Sequence, residues 1–157
     1  MTIKALELKL VISGFFAAIG VFLGWKGTLL AVWTAAMVLD YISGSIAAIM
    51  AGEWSSTKAR EGLTHKAGMI LIVLMSMLFD VCCAVVAINV PVLHMTWPGV
   101  IFPIVLAWYI VTEAGSILEN SIKMGAPAPA WLRKCLKAAN DTIDRAGEAA
   151  SEPEKEE

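Results

Sequence analysis

The sequence has 157 residues, of which 58% are hydrophobic. Soluble globular domains contain roughly 45–50% apolar residues, and the mean hydropathy of +0.71 also excludes an ordinary soluble domain. The formal net charge is only −2, but the charge is segregated, because the apolar middle is nearly uncharged and the segment from Lys123 onward holds much of it. A chain of this length has room for one compact unit and none for a separate catalytic domain.

Four apolar stretches predict an all-α membrane protein. The first, about Leu10–Leu23, is short, and we expect an uncleaved helix, tilted or interfacial, rather than a signal peptide. The others cover about Thr28–Met50, Ala67–Val90 and Trp97–Leu118, and each approaches or exceeds the roughly 20 residues that cross a ~30 Å hydrocarbon core. The sequence therefore predicts a bundle of about four transmembrane helices within residues 1–122.

A stiff break follows the last apolar stretch, since Pro127 and Pro129 disfavour a continuous helix. We expect residues 123–147 to contain this break and a cytoplasmic amphipathic helix, and residues 148–157 to form a disordered acidic tail. The apolar face of the helix would contain Trp131, Leu132, Cys135, Leu136, Ala139 and Ile143. Its polar face would contain Arg133, Lys134, Lys137, Asp141 and Asp144. Such a helix lies in the membrane interface, or it packs on the cytoplasmic loops or on a neighbouring subunit.

The positive charges predict an orientation with both termini in the cytoplasm, N-in and C-in. If the Ala51–Lys66 loop is also cytoplasmic, eleven of the twelve Lys and Arg residues lie inside and only Lys26 lies outside. Tryptophans then fall near both membrane boundaries, as interfacial anchors do. They are Trp25 and Trp97 on the outer side and Trp54 and Trp131 on the inner side.

Three acidic residues, Asp40, Asp80 and Glu113, fall within the last three apolar stretches, where no Lys or Arg neutralises them. An acidic residue at the centre of a membrane helix costs roughly 2.5–3.5 kcal/mol on insertion scales, so it normally faces a partner, an aqueous cavity or another subunit. We interpret them as lining an oligomer contact or a lumen; the alternative is a protonated acid hydrogen-bonded within one bundle. The full set predicted for such contacts is Asp40, Gly44, Ala48, Asp80, Glu113 and Glu119.

Signatures of enzymes are missing from the sequence. His65 and His94 have no Cys, Glu or His partner at metal-ligand spacing, and the chain contains no Gly-rich phosphate loop, GxSxG or HExxH motif. Cys82, Cys83 and Cys135 form neither a disulfide framework nor a Cys-x-x-Cys pair. We therefore expect no catalytic residue, no metal, no cofactor and no nucleic-acid partner.

Two groups of motifs carry a resemblance to a known family. They are Leu39–Gly44 with Gly52–Ser56 and Gly62–Lys66, and then Glu113–Asn120 with Lys123–Pro127 and the basic helix. In this order, and over roughly Thr28 to Lys137, the chain resembles the toxin-secretion/phage-lysis holin family. It departs from that family at Thr112, where the family often has Asn before the Glu.

The resemblance implies a homo-oligomer of the bacterial cytoplasmic membrane that opens non-selective lesions at a set time. Its partners would be the lipid bilayer, further copies of itself and an endolysin or large toxin that leaves through the lesion, with an antiholin where one accompanies it. Two other interpretations stay open from the residues alone. One is a small ion- or proton-conducting channel or transporter that uses the intramembrane carboxylates, although the chain shows no inverted repeat. The other is a membrane anchor.

Overall fold

The computed structural model describes residue 14 and residues 24–151 of the chain, and this part is all-α without a strand. The helices are α1 (Trp25–Met50), α2 (Ser56–Asn89), α3 (Ile101–Lys123) and α4 (Ala130–Ser151), with a 3-10 turn at Pro91–Leu93. Helices α1, α2 and α3 are long and apolar enough to cross a membrane. The predicted all-α membrane architecture is confirmed, while the predicted first span, apart from Gly14, lies outside the described residues.

A tight turn connects α1 to α2. The Glu53 amide donates to the Ala48 carbonyl at 2.9 Å and the Gly52 amide to the Ile49 carbonyl at 3.0 Å, with Gly52 at a φ of 68°. This is the Schellman arrangement, for which glycine is suited because it adopts a positive φ without strain. The Ser55 side chain then caps α2 by accepting from the Lys58 amide at 3.2 Å. The prediction of a loop over Ala51–Lys66 is therefore wrong, because most of these residues belong to α2.

Helix α3 is the centre of the bundle, since it packs against α1, α2 and α4 while α1 and α2 barely touch each other. The core between the first three helices consists of Trp33, Met69, Val73, Phe102, Leu106 and Tyr109. Large apolar side chains also cover the outside of the bundle, including Ile42, Leu71, Leu78 and Val85, each of which is exposed. Such an outer surface suits hydrocarbon, because lipid tails are as apolar as these side chains.

Helix α4 folds back along α3. A second Schellman turn stops α3, with the Ala126 amide donating to the Ser121 carbonyl at 3.0 Å and Gly125 at a φ of 89°. Helix α4 then runs antiparallel to α3, as the contact between Trp108 and Asp144 shows. It continues to Ser151, past the predicted boundary at residue 147. The amphipathic pattern of this helix did not predict its placement on α3 of the same protomer.

The predicted apolar face of α4 is correct in most positions. Leu132, Leu136, Ala139 and Ile143 are half-buried against the bundle. Trp131 and Cys135 are exposed instead, because they lie at the edge of the stripe that faces α3.

Candidate functional site

An ion-pair cluster joins the first three helices. The Lys66 ammonium in α2 lies 3.0 Å from Oδ2 of Asp40 in α1 and 2.8 Å from both carboxylate oxygens of Glu113 in α3. Glu113 is only 3% exposed, and the side chains of Lys66 and Asp40 are 13% and 20% exposed. The expectation that no basic residue neutralises these acids is therefore wrong for Asp40 and Glu113. Lys66 reaches them because α2 begins well before the apolar run that follows it.

Asn120 extends this cluster along α3. Its side-chain amide nitrogen donates to Oδ1 of Asp40 at 3.1 Å and to the Ser43 hydroxyl at 3.2 Å. The amide packs against Gly44, where an added Cβ would lie 3.3 Å from the Asn120 nitrogen. Gly44 thus permits a close approach of α1 and α3, as small residues do in membrane helices. We call Asp40, Lys66, Glu113 and Asn120 the Lys66 cluster.

Asp80 has a separate role at the opposite end of α3. Its Oδ1 accepts from the Trp97 indole nitrogen at 3.0 Å and from the Ile101 amide at 3.2 Å, and its Oδ2 accepts from the Phe102 amide at 2.9 Å. The first amides of a helix have no partner within the helix and carry a partial positive charge. Asp80, which is 6% exposed, therefore caps α3 from α2 with a carboxylate, and it too has partners inside the protomer.

A second contact closes the same end of the bundle. The Lys26 ammonium in α1 donates to the Gly99 carbonyl at 2.7 Å, directly before α3 begins. Gly99 has a φ of 66°, and a Cβ at this position would lie 3.0 Å from the Lys26 nitrogen. The backbone conformation and the close lysine both require glycine here. Each end of the bundle is therefore fixed by polar contacts between helices.

A cleft of about 240 Å³ leads to the Lys66 cluster from the end at which α1 meets α2. Its walls include three members of the cluster, Asp40, Lys66 and Glu113, and further residues of α1, of α2 and of the turn between them. Among these further residues are Tyr41, Ala48, Trp54, Lys58 and His65. Four of the residues predicted for an oligomer contact or lumen line this cleft. Asp40, Gly44 and Ala48 do so at half-buried positions, and Glu113 does so at a buried one.

Most of the predicted residues outside the cleft lie at the surface, apart from Asp80 and Trp97. Glu119 is exposed, and so are three of the four predicted anchors, Trp25, Trp54 and Trp131. Trp97 is half-buried, because its ring packs edge-on against Phe79 in addition to its bond to Asp80. Whether any of these residues meets another copy or a lumen stays a prediction. The residues that sequence reasoning missed are Lys66, Asn120 and Ser43.

Helix α4 lies along α3, which is long and apolar enough to cross a membrane, and α4 presents a charged surface on its other side. The Trp108 indole nitrogen donates to Oδ1 of Asp144 at 2.9 Å, and one turn further on a Cβ at Gly147 would lie 3.8 Å from Ile104. The helix carries four basic and three acidic residues, all exposed. They are Arg133, Lys134, Lys137, Asp141, Asp144, Arg145 and Glu148. A basic or aspartate residue costs roughly 2.5–3.5 kcal/mol at the centre of a helix in lipid, so this face is incompatible with hydrocarbon.

Among the described residues, no group of three or more His, Cys, Asp or Glu side chains is arranged to hold a metal ion. The cysteines Cys82, Cys83 and Cys135 are free thiols. The contacts observed at the site are ion pairs and hydrogen bonds between helices.

The fold and the site define a helical membrane protein whose spans are joined by buried ion pairs. The chain belongs to the bacteriophage holin family, because the model of that family matches residues 17–141. The resemblance seen in the sequence motifs is thereby confirmed.

Curated relatives cover most of the same region. An uncharacterized protein of Listeria innocua is 31% identical over 129 residues, which are 82% of this chain and 84% of the relative. One from Halalkalibacterium halodurans is 30% identical over 120 residues, covering 76% of this chain and 84% of the relative. An uncharacterized 14.9 kDa protein in the nagH 3′ region of Clostridium perfringens is 34% identical over 104 residues, covering 66% and 70% respectively. No solved structure matches the chain.

Proposed function

We propose that this protein is a holin that oligomerises in the bacterial cytoplasmic membrane and forms non-selective lesions there. An endolysin, or another large folded protein, would leave the cytoplasm through these lesions. The observation that carries the proposal is the match to the bacteriophage holin family over residues 17–141. Membership of this family, which is not a family of enzymes, also agrees with the lack of catalytic motifs in the sequence.

The outer surface of the bundle supports a role within the bilayer. Exposed apolar side chains on α1 and α2 offer area to lipid or to further copies of the chain, and in lipid such contacts depend on packing rather than on the hydrophobic effect. The Lys66 cluster and Asp80 hold α1, α2 and α3 in register. A protomer fixed in this way can insert and accumulate without exposing its carboxylates to hydrocarbon.

We also propose the orientation N-in, with the end of α3 and the beginning of α4 on the cytoplasmic side. Because the docked α4 runs back along α3 as far as Trp108 and Ile104, its own C-terminal end then lies towards the outer side, and the C-in orientation expected from the sequence is not part of this proposal. The C-terminal end of α1, the N-terminal end of α2 and the C-terminal end of α3 share one end of the bundle, where Lys58, Arg60 and Lys123 lie. Lys26 lies at the other end, beside Gly99. The positive-inside tendency assigns the end with more basic residues to the cytoplasm.

Induced expression in a bacterium tests the proposal, with membrane potential and culture turbidity followed with and without a co-expressed endolysin. A holin gives abrupt depolarisation and clearing that depends on the endolysin. Gradual depolarisation without escape of a folded enzyme would instead indicate a selective channel, and no effect on either readout would indicate an anchor. Both of these results would overturn the proposal. The channel alternative gains no support from the carboxylates, since Asp40, Asp80 and Glu113 all have partners.

A further inference from the structure

The path of α4 sets a physical problem for a protein in a membrane. This helix has 22 residues and a length of roughly 33 Å, and it begins beside Ile122 at the inner end of α3. Further along, Asp144 accepts a hydrogen bond from Trp108, and a Cβ added at Gly147 would lie 3.8 Å from Ile104. These points show that α4 accompanies α3, a helix of membrane-spanning length, over nearly its whole extent.

The two faces of α4 differ sharply. The half-buried residues of α4 are Asn140 and a stripe with spacings of three and four residues. The stripe comprises Leu132, Leu136, Ala139, Ile143, Gly147 and Ala150. The charged residues are all exposed on the remaining surface. In the docked position this charged surface lies at the depth of the α3 span, where lipid would leave it without hydration. Water must therefore face it.

We propose that α4, docked along α3, lines a water-filled lumen formed between copies of this chain. The inference rests on the proposed holin function and identifies α4 as the segment that forms the wall of the lesion. One helix cannot enclose water alone, so several protomers must each contribute an α4. Their apolar outer surfaces on α1 and α2 then face lipid or the neighbouring protomer.

The composition of α4 suits such a wall. Its four basic and three acidic residues leave it nearly neutral, so neither cations nor anions are strongly favoured. Basic residues such as Arg133 and Lys137 occupy the first half, and acidic ones such as Asp141 and Glu148 the second half. A hydrated wall of this kind admits a folded protein without recognising it. In this arrangement the buried carboxylates Asp40, Asp80 and Glu113 brace the protomer rather than line the opening.

A reversible cross-link tests whether the docked position is the open one. In a chain whose three native cysteines are replaced by serine, the pair Ile104→Cys and Gly147→Cys places two thiols on facing surfaces. The full-length protein is reconstituted into lipid vesicles that contain a fluorescent dextran. The matched control pairs Ile104→Cys with Arg145→Cys, since Arg145 is exposed and turned away from α3.

We expect a disulfide to form in the first pair and not in the control, and the oxidised protein to release dextran at least as fast as its reduced form. Release that falls several-fold on oxidation and recovers on reduction would overturn the inference, because docking would then close the lesion. Failure of the pair to cross-link would overturn it as well. If the wild-type protein releases no dextran, the proposed holin function fails instead.

A second measurement tests whether α4 lines the lumen. A polyethylene-glycol maleimide is attached to Asp141→Cys in the cysteine-free chain after assembly in vesicles, with Glu53→Cys in the exposed α1–α2 turn as the control. A bulky polymer on the wall should reduce dextran release several-fold, while the same polymer on the turn should leave release unchanged. Equal release from the two modified variants would place α4 outside the lumen and overturn the inference.

Discussion

The Lys66 ammonium in α2 bonds to both carboxylate oxygens of Glu113 in α3, each at 2.8 Å and across 47 positions of the sequence. Glu113 is almost fully buried, and Lys66 also reaches Asp40. One cation therefore joins three helices that otherwise meet mainly through apolar contacts. Because two carboxylates share this cation, the balance of charge at the cluster depends on Lys66 alone among the residues that the structure describes.

The first prediction concerns the loss of that cation. Lys66→Met leaves Asp40 and Glu113 close together and without their basic partner, and removing one member of a buried ion pair costs roughly 3–5 kcal/mol. We expect less protein in the membrane fraction and a lower midpoint in denaturant unfolding in detergent. Lys66→Arg, which keeps the charge, should lose much less stability. Normal accumulation and stability of the Met variant would show that the cluster does not hold the bundle together.

The second prediction concerns the cap on α3. Asp80→Ala leaves the Trp97 indole and the amides of Ile101 and Phe102 without their acceptor, and each unsatisfied buried group costs about 1–3 kcal/mol. Asp80→Asn retains one acceptor oxygen and should lose less stability than Asp80→Ala. Trp97→Phe removes only one donor and should lose the least stability of the three variants. Stability in detergent should therefore rank wild type, Trp97→Phe, Asp80→Asn and Asp80→Ala in descending order; an Ala variant as stable as wild type would contradict the capping role.

The third prediction concerns the timing of lysis. Asp40→Asn keeps the shape of the side chain but removes the charge that bonds to Lys66, so insertion should persist while the onset of lysis shifts. Turbidity after induction, with an endolysin present, gives the onset. Glu61→Gln is the matched control, because Glu61 is an exposed acid near the N-terminal end of α2, at the same end of the bundle, and is not among the residues predicted for an oligomer contact or lumen. An unchanged onset for Asp40→Asn, for Asp80→Asn and for the double variant would remove these acids from the mechanism.

The fourth prediction compares two glycines within helices. An Ala in place of Gly gains up to about 1 kcal/mol from helix propensity, and Gly62 has nothing within 4 Å of an added Cβ. Gly62→Ala should therefore be neutral or stabilising. Gly44→Val brings a branched side chain against Asn120 and should separate α1 from α3. We expect lower stability in detergent for Gly44→Val only; equal stability of the two variants would contradict the close contact at Gly44.

The inward positions of the acids could be found in the sequence. Met69, Val73, Ser76 and Asp80 are the buried residues of α2, and they repeat with spacings of four, three and four. The same pattern links Phe102, Leu106, Tyr109 and Glu113 in α3. In α2, the same spacing continued three residues from Met69 towards the N-terminus gives Lys66. This partner was missed because the boundary of the span was set by the apolar run, although a helix continues beyond such a run when a residue such as Ser55 caps it.

The placement of α4 could not be derived in the same way. Its amphipathic pattern predicts which residues form the apolar stripe, but not which surface that stripe covers. Membrane interface, loop and neighbouring helix all satisfy the same periodicity. The antiparallel placement depends on the turn at Gly125 and on contacts such as Trp108 with Asp144, which join residues 36 positions apart. Such pairings become visible only when the chain is folded.

The fifth prediction tests the contact that holds α4 against α3. Asp144→Asn weakens the charge-assisted bond from the Trp108 indole, and hydrogen bonds to charged groups contribute about 1.5–3 kcal/mol. Asp141→Asn removes the same charge from a position that makes no such contact, so it is the matched control. If the docked helix is needed for release, Asp144→Asn should delay endolysin-dependent clearing while Asp141→Asn leaves it unchanged. Trp108→Phe, which removes the donor instead of the acceptor, should reproduce the delay. A delay of equal size for Asp141→Asn would show that the negative charge of α4, and not its contact with α3, sets the time of lysis.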